Sequence, residues 1–242
     1  YYDINVMGTK NVIEAAIKSG VKRVVHCSTV GVHSHIPHPP ADETEAYRPG
    51  DIYQETKCEG EKLALSYFNS GKIFGVVVRP AMIWGPEDKR TLKIFKGIAR
   101  GRFPLIGSGK TYLHWVLVTD LARGFRLAAE RAQTSGSIYI FAGRTPVTMR
   151  NLYESIAGLF GVPSPKFSIP AFPVQLIGSL CELVCKPFGI EPPIYRRRVD
   201  FFTKTRSFSI EKARKELGYE PEHDLKGEVS VIGNWYRDQG WI

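Results

Sequence analysis

The sequence is poor in cysteine: four in 242 residues, with no Cys-x-x-Cys pair. That excludes a disulfide scaffold and a thiolate metal ribbon. No Asn-x-Ser/Thr triplet and no secretory leader pattern occur, so a reducing, cytoplasmic setting is the expectation. No apolar run reaches the ~20 residues needed to cross a bilayer. Glycine and proline number 23 and 16, close enough to common usage to exclude collagen-like and low-complexity chains. Acidic residues are the scarcer charge, 24 against 33 basic, giving a net charge of +9. Such a surface favours anionic partners without choosing among phosphate cofactors, acidic lipid and nucleic acid. With 43% hydrophobic residues and a mean hydropathy of −0.17, what is left is one large α/β domain, or one domain with a small cap. The chain opens at Tyr1 already inside a helical pattern, which reads as a sequence whose N-terminal portion is missing.

Apolar residues from Asp3 to Ser19 fall on one broad helical face, ended by Gly20. Val21 to Ser28 is a β-branched run of strand length, and prolines at 37, 39, 40 and 49 make residues 30–50 a long loop. Asp51 to Ser70 is helical again, and Ile73 to Val78 is a continuous apolar strand suited to burial on both faces. Helix, strand, loop, helix, strand is the rhythm of a parallel sheet with crossover helices. The spacing predicts further helices over Leu92–Arg100, Thr119–Ala132, Met149–Phe160, Val174–Cys185, Ser209–Leu217 and Leu225–Gln239, and strands over Tyr112–Val118 and Ser137–Phe141. A composition shift near residue 85 places a boundary there. Residues 1–85 read as one domain, 86–242 as mainly a second, smaller lobe, and 119–132 as a helix returning to the first.

The sharpest local pattern is Tyr53-Gln54-Glu55-Thr56-Lys57. On a helix the i, i+4 spacing sets a phenol and an ammonium on one face. A phenol with a pKa near 10 is a poor base at neutral pH, and lowering it by about 3 units takes roughly 4 kcal/mol of preferential phenolate stabilisation. A desolvated lysine can supply part of that. By itself the spacing is weak, since about one such pair is expected by chance in a chain with 11 tyrosines. Its surroundings sharpen it. Strand ends at Ser28-Thr29 and at Arg79-Pro80 converge with the helix on the carboxyl edge of a parallel sheet, where open α/β folds hold their ligands.

Several stretches, in order, carry a resemblance: Asn5-Val6-Met7-Gly8-Thr9-Lys10-Asn11-Val12-Ile13-Glu14-Ala15-Ala16, Ser28-Thr29, Asp42-Glu43, Tyr-x-x-x-Lys at 53–57, Arg79-Pro80 to Gly85-Pro86, Val118-Thr119-Asp120-Leu121-Ala122, and Lys212 to Pro221 with Trp235-Tyr236. Together they resemble the extended short-chain dehydrogenases/reductases, also called the NAD-dependent epimerase/dehydratase family. The resemblance implies a doubly wound, Rossmann-like parallel sheet with a smaller C-terminal α+β substrate lobe. It also implies that the glycine-rich loop, the first strand and the residue choosing between NAD and NADP lie before Tyr1, so that the chain alone is inactive. It casts Tyr53 as the catalytic acid/base and Lys57 as the group that holds the nicotinamide ribose and depresses the phenol. Thr29 becomes the hydroxyl that bonds the reacting oxygen. Asn5, Ser28, Pro80, Ala81, Met82 and Ile83 join Tyr53 and Lys57 around the cofactor. His33 stands where the family usually has Tyr. Family habit also implies a homodimer through the helices at 3–19 and 51–70.

Other motifs read more plainly. Gly107-Ser108-Gly109-Lys110-Thr111 lacks the earlier glycine of a phosphate loop, since Pro104 occupies that place. His33, His35 and His38 sit in a Pro-rich loop without thiolate or carboxylate companions, so no metal site is expected. The cluster Arg196-Arg197-Arg198 with Lys204 and Arg206 reads as a solvated face and not as a nucleic-acid module. Val174 to Cys185 is too short to span a bilayer and reads first as a helix buried in the second lobe, with Cys181 and Cys185 as buried thiols. The alternative is an interfacial helix, giving peripheral membrane contact through 174–198.

Within the family, sugar-nucleotide members commonly place Asn where this chain has Met82 and an Arg-Asp pair near Leu113-His114-Trp115. The second lobe also carries Phe167, Ile169, Phe172, Val174, Leu176, Phe188, Ile190 and Tyr195, residues that suit an apolar small-molecule substrate. The expectation is an NAD- or NADP-dependent oxidoreductase, like the 3β-hydroxysteroid dehydrogenase and dihydroflavonol-reductase-like branch, working at a hydroxyl/ketone carbon of a sterol-like substrate. The alternatives are a nucleotide-sugar epimerase or dehydratase and a catalytically silent cofactor-binding scaffold.

Overall fold

The structure is a computed structural model that describes residues 1–164, 168–185, 188 and 201–242. A single π-helical turn, Asp3–Met7, leads into α1 (Gly8–Lys18), then β1 (Arg23–Cys27), a 3-10 turn (Val30–His33), α2 (Ile52–Asn69) and β2 (Phe74–Pro80). There follow β3 (Met82–Trp84), α3 (Lys89–Ala99), β4 (Leu105–Ile106), β5 (Tyr112–Leu113), β6 (Trp115–Leu117), α4 (Val118–Arg131) and β7 (Ile138–Phe141). The chain continues through β8 (Val147–Thr148), α5 (Met149–Phe160), β9 (Ser168–Ile169), α6 (Ala171–Cys185), α7 (Glu211–Leu217) and α8 (Leu225–Asp238). Two compact units result: one of Tyr1–Gly85, His114–Pro146 and Arg206–Asp224, the other of Pro86–Leu113, Val147–Thr205 and Leu225–Ile242.

The first unit is built on a parallel sheet in the order β1-β2-β7. β2 is central, and Val76, Val77 and Val78 are wholly buried because helices cover both of its faces. Val77 packs with Ile13 of α1 and Ala64 and Phe68 of α2. Val76 and Val78 turn the other way, toward Leu121, Leu127 and Ala128 of α4 and Ala213 and Leu217 of α7. Alternate side chains of one strand therefore serve two cores, which is what a doubly wound sheet requires. β3 and β6 form a second parallel pair.

The expected strand over 112–118 is broken. β5 pairs antiparallel with β8, β6 pairs parallel with β3, and His114 lies between the two segments. Its carbonyl accepts from the Met82 amide at 3.0 Å, while its imidazole meets the Gly143 carbonyl at 3.0 Å and the Phe208 amide at 3.3 Å. These tertiary bonds outweigh local β propensity.

The second unit has its own core, with Phe95 and Ile98 of α3, Leu152 and Ile156 of α5, and Val229 and Ile232 of α8 all buried. Tyr236 sits edge-on to Phe95 at 5.3 Å and donates to the Asp88 carbonyl at 2.6 Å. α6 departs from expectation: it is not buried. Phe172, Leu176, Leu180 and Leu183 are 74, 52, 52 and 72% exposed, and Cys181 and Cys185 are half-buried. Phe167, Ile190, Tyr195 and the arginines at 196–198 lie outside the described residues.

Candidate active site

α2 begins where Asp51 accepts a hydrogen bond from the Gln54 amide at 2.9 Å, an N-cap that fixes the register of the first turn. Tyr53 follows in that turn and Lys57 one turn later, both half-buried. Lys57 Nζ donates to the carbonyl oxygen of Cys27, the last residue of β1, at 2.6 Å. Two residues further on, Thr29 caps the 3-10 turn by accepting from the Gly31 amide at 3.0 Å. Gly31 separates Thr29 from α2: a Cβ there would lie 3.2 Å from Thr29 Oγ1 and 3.8 Å from Gln54 Cγ. The structure thus brings Thr29, Lys57 and the turn bearing Tyr53 to the carboxyl end of β1.

Burial holds the Lys57 ammonium below the ordinary lysine range, opposed by the nearby Cys27 thiol and Glu61 carboxylate. His26, beside Cys27, is driven down to about 4 by burial first and by the Lys57 charge second. At neutral pH the site therefore holds a neutral imidazole next to a cation short of solvent. Tyr53 presents its ring edge-on to that of Tyr1, with centroids 6.0 Å apart.

Asn5 lies in the π turn that precedes α1, a local irregularity of the kind often found at functional sites. Its side-chain amide donates to Thr56 Oγ1 at 2.9 Å, placing it against α2 between Tyr53 and Lys57 in sequence. The approach is close because α2 offers a glycine there. A Cβ on Gly60 would stand 2.3 Å from the Asn5 carbonyl oxygen.

Two features of the structure bear on residues expected at the cofactor. The Ser28 hydroxyl, expected at the cofactor, is buried and donates to Glu61. Of the backbone groups of Pro80 to Ile83 expected to line the nicotinamide, the Ala81 and Met82 amides donate to the Phe141 carbonyl at 2.9 Å and the His114 carbonyl at 3.0 Å. Pro80 has no amide hydrogen and is buried. Of this segment Ile83 is the most open, 37% exposed.

Sequence reading missed Glu61 and Arg79, which form a buried polar cluster with Ser28 and His33, and the half-buried Tyr47 bonded to it. One signal was present: Glu61 continues the i, i+4 series from Tyr53 and Lys57 along the same flank of α2. His33 is fully buried, which takes it out of the histidine-rich loop. Among the described residues no group of three His, Cys, Asp or Glu side chains is placed to hold a metal ion.

The family model of the NAD dependent epimerase/dehydratase family matches residues 1–141. The chain belongs to that family. Among curated relatives, the 3beta-hydroxysteroid-dehydrogenase/decarboxylase isoform 1 of Arabidopsis thaliana is 32% identical over 91% of the chain, and the chain spans about half (54%) of that relative. The N-acetyl-alpha-D-glucosaminyl-diphospho-ditrans,octacis-undecaprenol 4-epimerase of Escherichia coli O157:H7 is 26% identical over 96% of the chain and 75% of its own length. Among solved structures, that of gox2253 superposes with a TM-score of 0.79 at 29% identity, covering 99% of the chain and 73% of that structure. Membership of this epimerase/dehydratase family agrees with the doubly wound sheet and with helices on both of its faces.

Proposed function

We propose that the protein is an NAD- or NADP-dependent oxidoreductase acting at a hydroxyl/ketone carbon of an apolar, sterol-like small molecule. The observation that carries the reading is the bond from Lys57 Nζ, one turn from Tyr53, to the carbonyl of Cys27, two residues before Thr29. In this reading Tyr53 exchanges a proton with the substrate oxygen. Lys57 stabilises the phenolate by its charge and holds the nicotinamide ribose, with Asn5 and the Ile83 edge beside it. Thr29 Oγ1 keeps a donor hydrogen for the substrate oxygen, since its bond with Gly31 uses it as acceptor. NAD or NADP, when bound, supplies the hydride acceptor or donor. Residues 1–85, with the helix at 119–132, would hold the dinucleotide, and 86–242 would mainly bind substrate.

The substrate class is supported by the name of the Arabidopsis relative. It is supported also by His114, whose buried ring is committed to Gly143 and Phe208 and so offers no grip to a diphosphate. The second reading, an epimerase of a sugar or lipid-linked sugar, is favoured by the similarity to the Escherichia coli enzyme. A silent cofactor-binding scaffold is the third. An assay of the whole protein separates them. NAD(P)+-dependent oxidation of a 3β-hydroxysteroid supports the first, and UDP-hexose conversion without net cofactor change the second. Tight cofactor binding without turnover supports the third. Tyr53→Phe is expected to abolish turnover and spare cofactor binding; retained turnover would remove Tyr53 from its role.

We further propose a peripheral membrane setting on the cytoplasmic side through 174–198, of which 186, 187 and 189–198 lie outside the described residues. No helix among the described residues is long and apolar enough to cross a membrane. The exposed apolar side chains of α6 support a surface contact instead. A homodimer through 3–19 and 51–70 is the proposed assembly, supported by the exposure of Ile4 and Val12, 77 and 65%.

A further inference from the structure

Behind the candidate site lies an ion pair cut off from water. Arg79 and Glu61 are 1% and 0% exposed, and Ser28 and His33 are 4% and 0%. Arg79 Nη2 meets Glu61 Oε1 at 2.6 Å, and Arg79 Nε reaches both carboxylate oxygens at 3.1 and 3.2 Å. The second Nη2 hydrogen goes to the Tyr47 hydroxyl at 3.0 Å; Nη1 meets the Glu43 carbonyl at 3.0 Å and His33 Nε2 at 3.1 Å. All five guanidinium hydrogens are placed. Glu61 also accepts from the Tyr47 hydroxyl at 2.7 Å and from the Ser28 hydroxyl. His33 donates from Nδ1 to the Ala46 carbonyl at 3.0 Å and so offers Nε2 as an acceptor to Arg79. This fixes one neutral tautomer, in keeping with a pKa lowered chiefly by burial.

A buried ion pair is weak evidence for stability, because desolvation offsets most of the attraction and apolar replacements of like volume are often neutral. Position is what a fully bonded cluster fixes. Its members come from five segments, and three of those carry the candidate residues. Ser28 adjoins Thr29, Glu61 lies one turn beyond Lys57, and Arg79 adjoins Pro80. Ser28, His33, Glu61 and Arg79 are buried, and Tyr47 is half-buried.

We propose that Glu61 and Arg79 are positioning residues, a buried pair that locks the end of β1, the Lys57 flank of α2 and the end of β2 into the one arrangement in which Thr29, Lys57 and Tyr53 work together. The inference rests on the reading of Tyr53 as the acid/base, and its test has a readout that needs no substrate. The whole protein, labelled with 13C at tyrosine Cζ, is titrated by NMR as wild type, as Ser28→Ala and as Glu61→Met/Arg79→Met. Turnover of a 3β-hydroxysteroid and the thermal midpoint are measured on the same samples. Ser28→Ala removes only the tether to β1 and keeps the assay open where the double variant fails to fold.

The expected result is a Tyr53 resonance that titrates at least one unit higher in the variants, a tenfold smaller ionised fraction at a given pH below its pKa. kcat should fall about tenfold at an unchanged KM for NAD(P)+, with the Ser28→Ala midpoint close to wild type. A purely structural pair would move the midpoint and leave both the phenol titration and kcat of the folded protein alone; that result overturns the inference. A wild type that turns over no substrate, with a Tyr53 titration that still moves in the variants, overturns the activity and leaves the positioning role. A wild-type Tyr53 that titrates at the ordinary value near 10 overturns both.

Discussion

Lys57 reaches back thirty residues in sequence to bond the carbonyl of Cys27, 2.6 Å from its Nζ, and so joins helix α2 to the carboxyl end of strand β1. A single charge-assisted bond from a half-buried side chain is worth about 1.5–3 kcal/mol, a small part of what holds α2 in place. Most of that comes from the buried side of the helix, Ala64 and Phe68 against Ile13 and Val77. Lys57→Met is therefore expected to cost no more than ~3 kcal/mol in a urea titration while lowering turnover by at least about a hundredfold, the usual scale for a positioned acid–base group. Turnover within threefold of wild type would show that the Lys57 charge is not used.

Glycines in two helices should respond in opposite ways to the same change. Gly158 in α5 has nothing within 4 Å of an added Cβ, whereas at Gly60 in α2 the Cβ would sit 2.3 Å from the Asn5 carbonyl oxygen. Gly158→Ala is expected to stabilise the protein by about 0.4–1 kcal/mol through helix propensity and a less free unfolded chain. Gly60→Ala must push the Asp3–Lys18 helix away from α2 and is expected to destabilise by about 1–3 kcal/mol. It should also weaken NAD(P)+ binding, because Asn5 moves. Equal effects of the two substitutions in denaturant titrations would show that the close approach is not tight in solution.

The fold was legible in the sequence wherever a periodic pattern ran long. Helix 149–160 appears with the expected bounds, and the β2 run of valines reads as buried on both faces because it is. The Tyr53–Lys57 spacing was equally readable, being set by helix geometry alone. Short pairings were not legible. β3, β4, β8 and β9 have two or three residues each, too few for any period to show, and their pairing is decided by distant partners. The cluster behind the site stayed hidden for a related reason. Ser28, His33, Glu61 and Arg79 are ordinary surface residue types that only three-dimensional proximity makes into one buried unit. α6 failed differently: its apolar character was plain, but hydropathy cannot say whether an apolar helix is covered.

His114 makes the stability of the first unit sensitive to acid. Burial drives its pKa from 6.5 to about 4, although the ring's bond to the Gly143 carbonyl favours the charged form; the Phe208 amide, which donates to Nδ1, favours the neutral ring. The folded state then binds fewer protons than the unfolded chain between those values, so stability is full above about pH 6.5 and is lost as the pH falls toward 4. For this one group the loss from pH 7 to pH 5 is on the order of 2 kcal/mol. His26, also lowered to about 4, acts in the same direction. Urea midpoints at pH 7 and pH 5 test the sum, and the His114 ring-proton resonance tests the cause. A His114 resonance that titrates near 6.5 in the folded protein would refute the burial account.

α6 carries Phe172, Leu176, Leu180 and Leu183 more than half exposed, and Val184 is 61% exposed. Burying five such side chains at about 1.5–3 kcal/mol each would more than offset the entropy of holding one protein at a surface, even with only partial insertion. The same unit and the sequence after α6 add cations. Arg100, Arg102 and Lys110 are exposed in the same unit, and Arg196-Arg197-Arg198 follow in sequence. Anionic headgroups attract such residues by about 1 kcal/mol per charge near the surface. The expected result is co-sedimentation of the protein with phosphatidylcholine/phosphatidylserine vesicles and weaker binding to phosphatidylcholine alone. Binding should fall at 0.5 M salt and be lost in Phe172→Asp/Leu176→Asp. Because these side chains are exposed already, the double substitution should leave the thermal midpoint unchanged. Equal binding by wild type and the double variant would remove α6 from the contact. A wild type that stays in the supernatant but shifts from dimer to monomer on the same substitutions would assign the apolar face to a second copy of the chain instead.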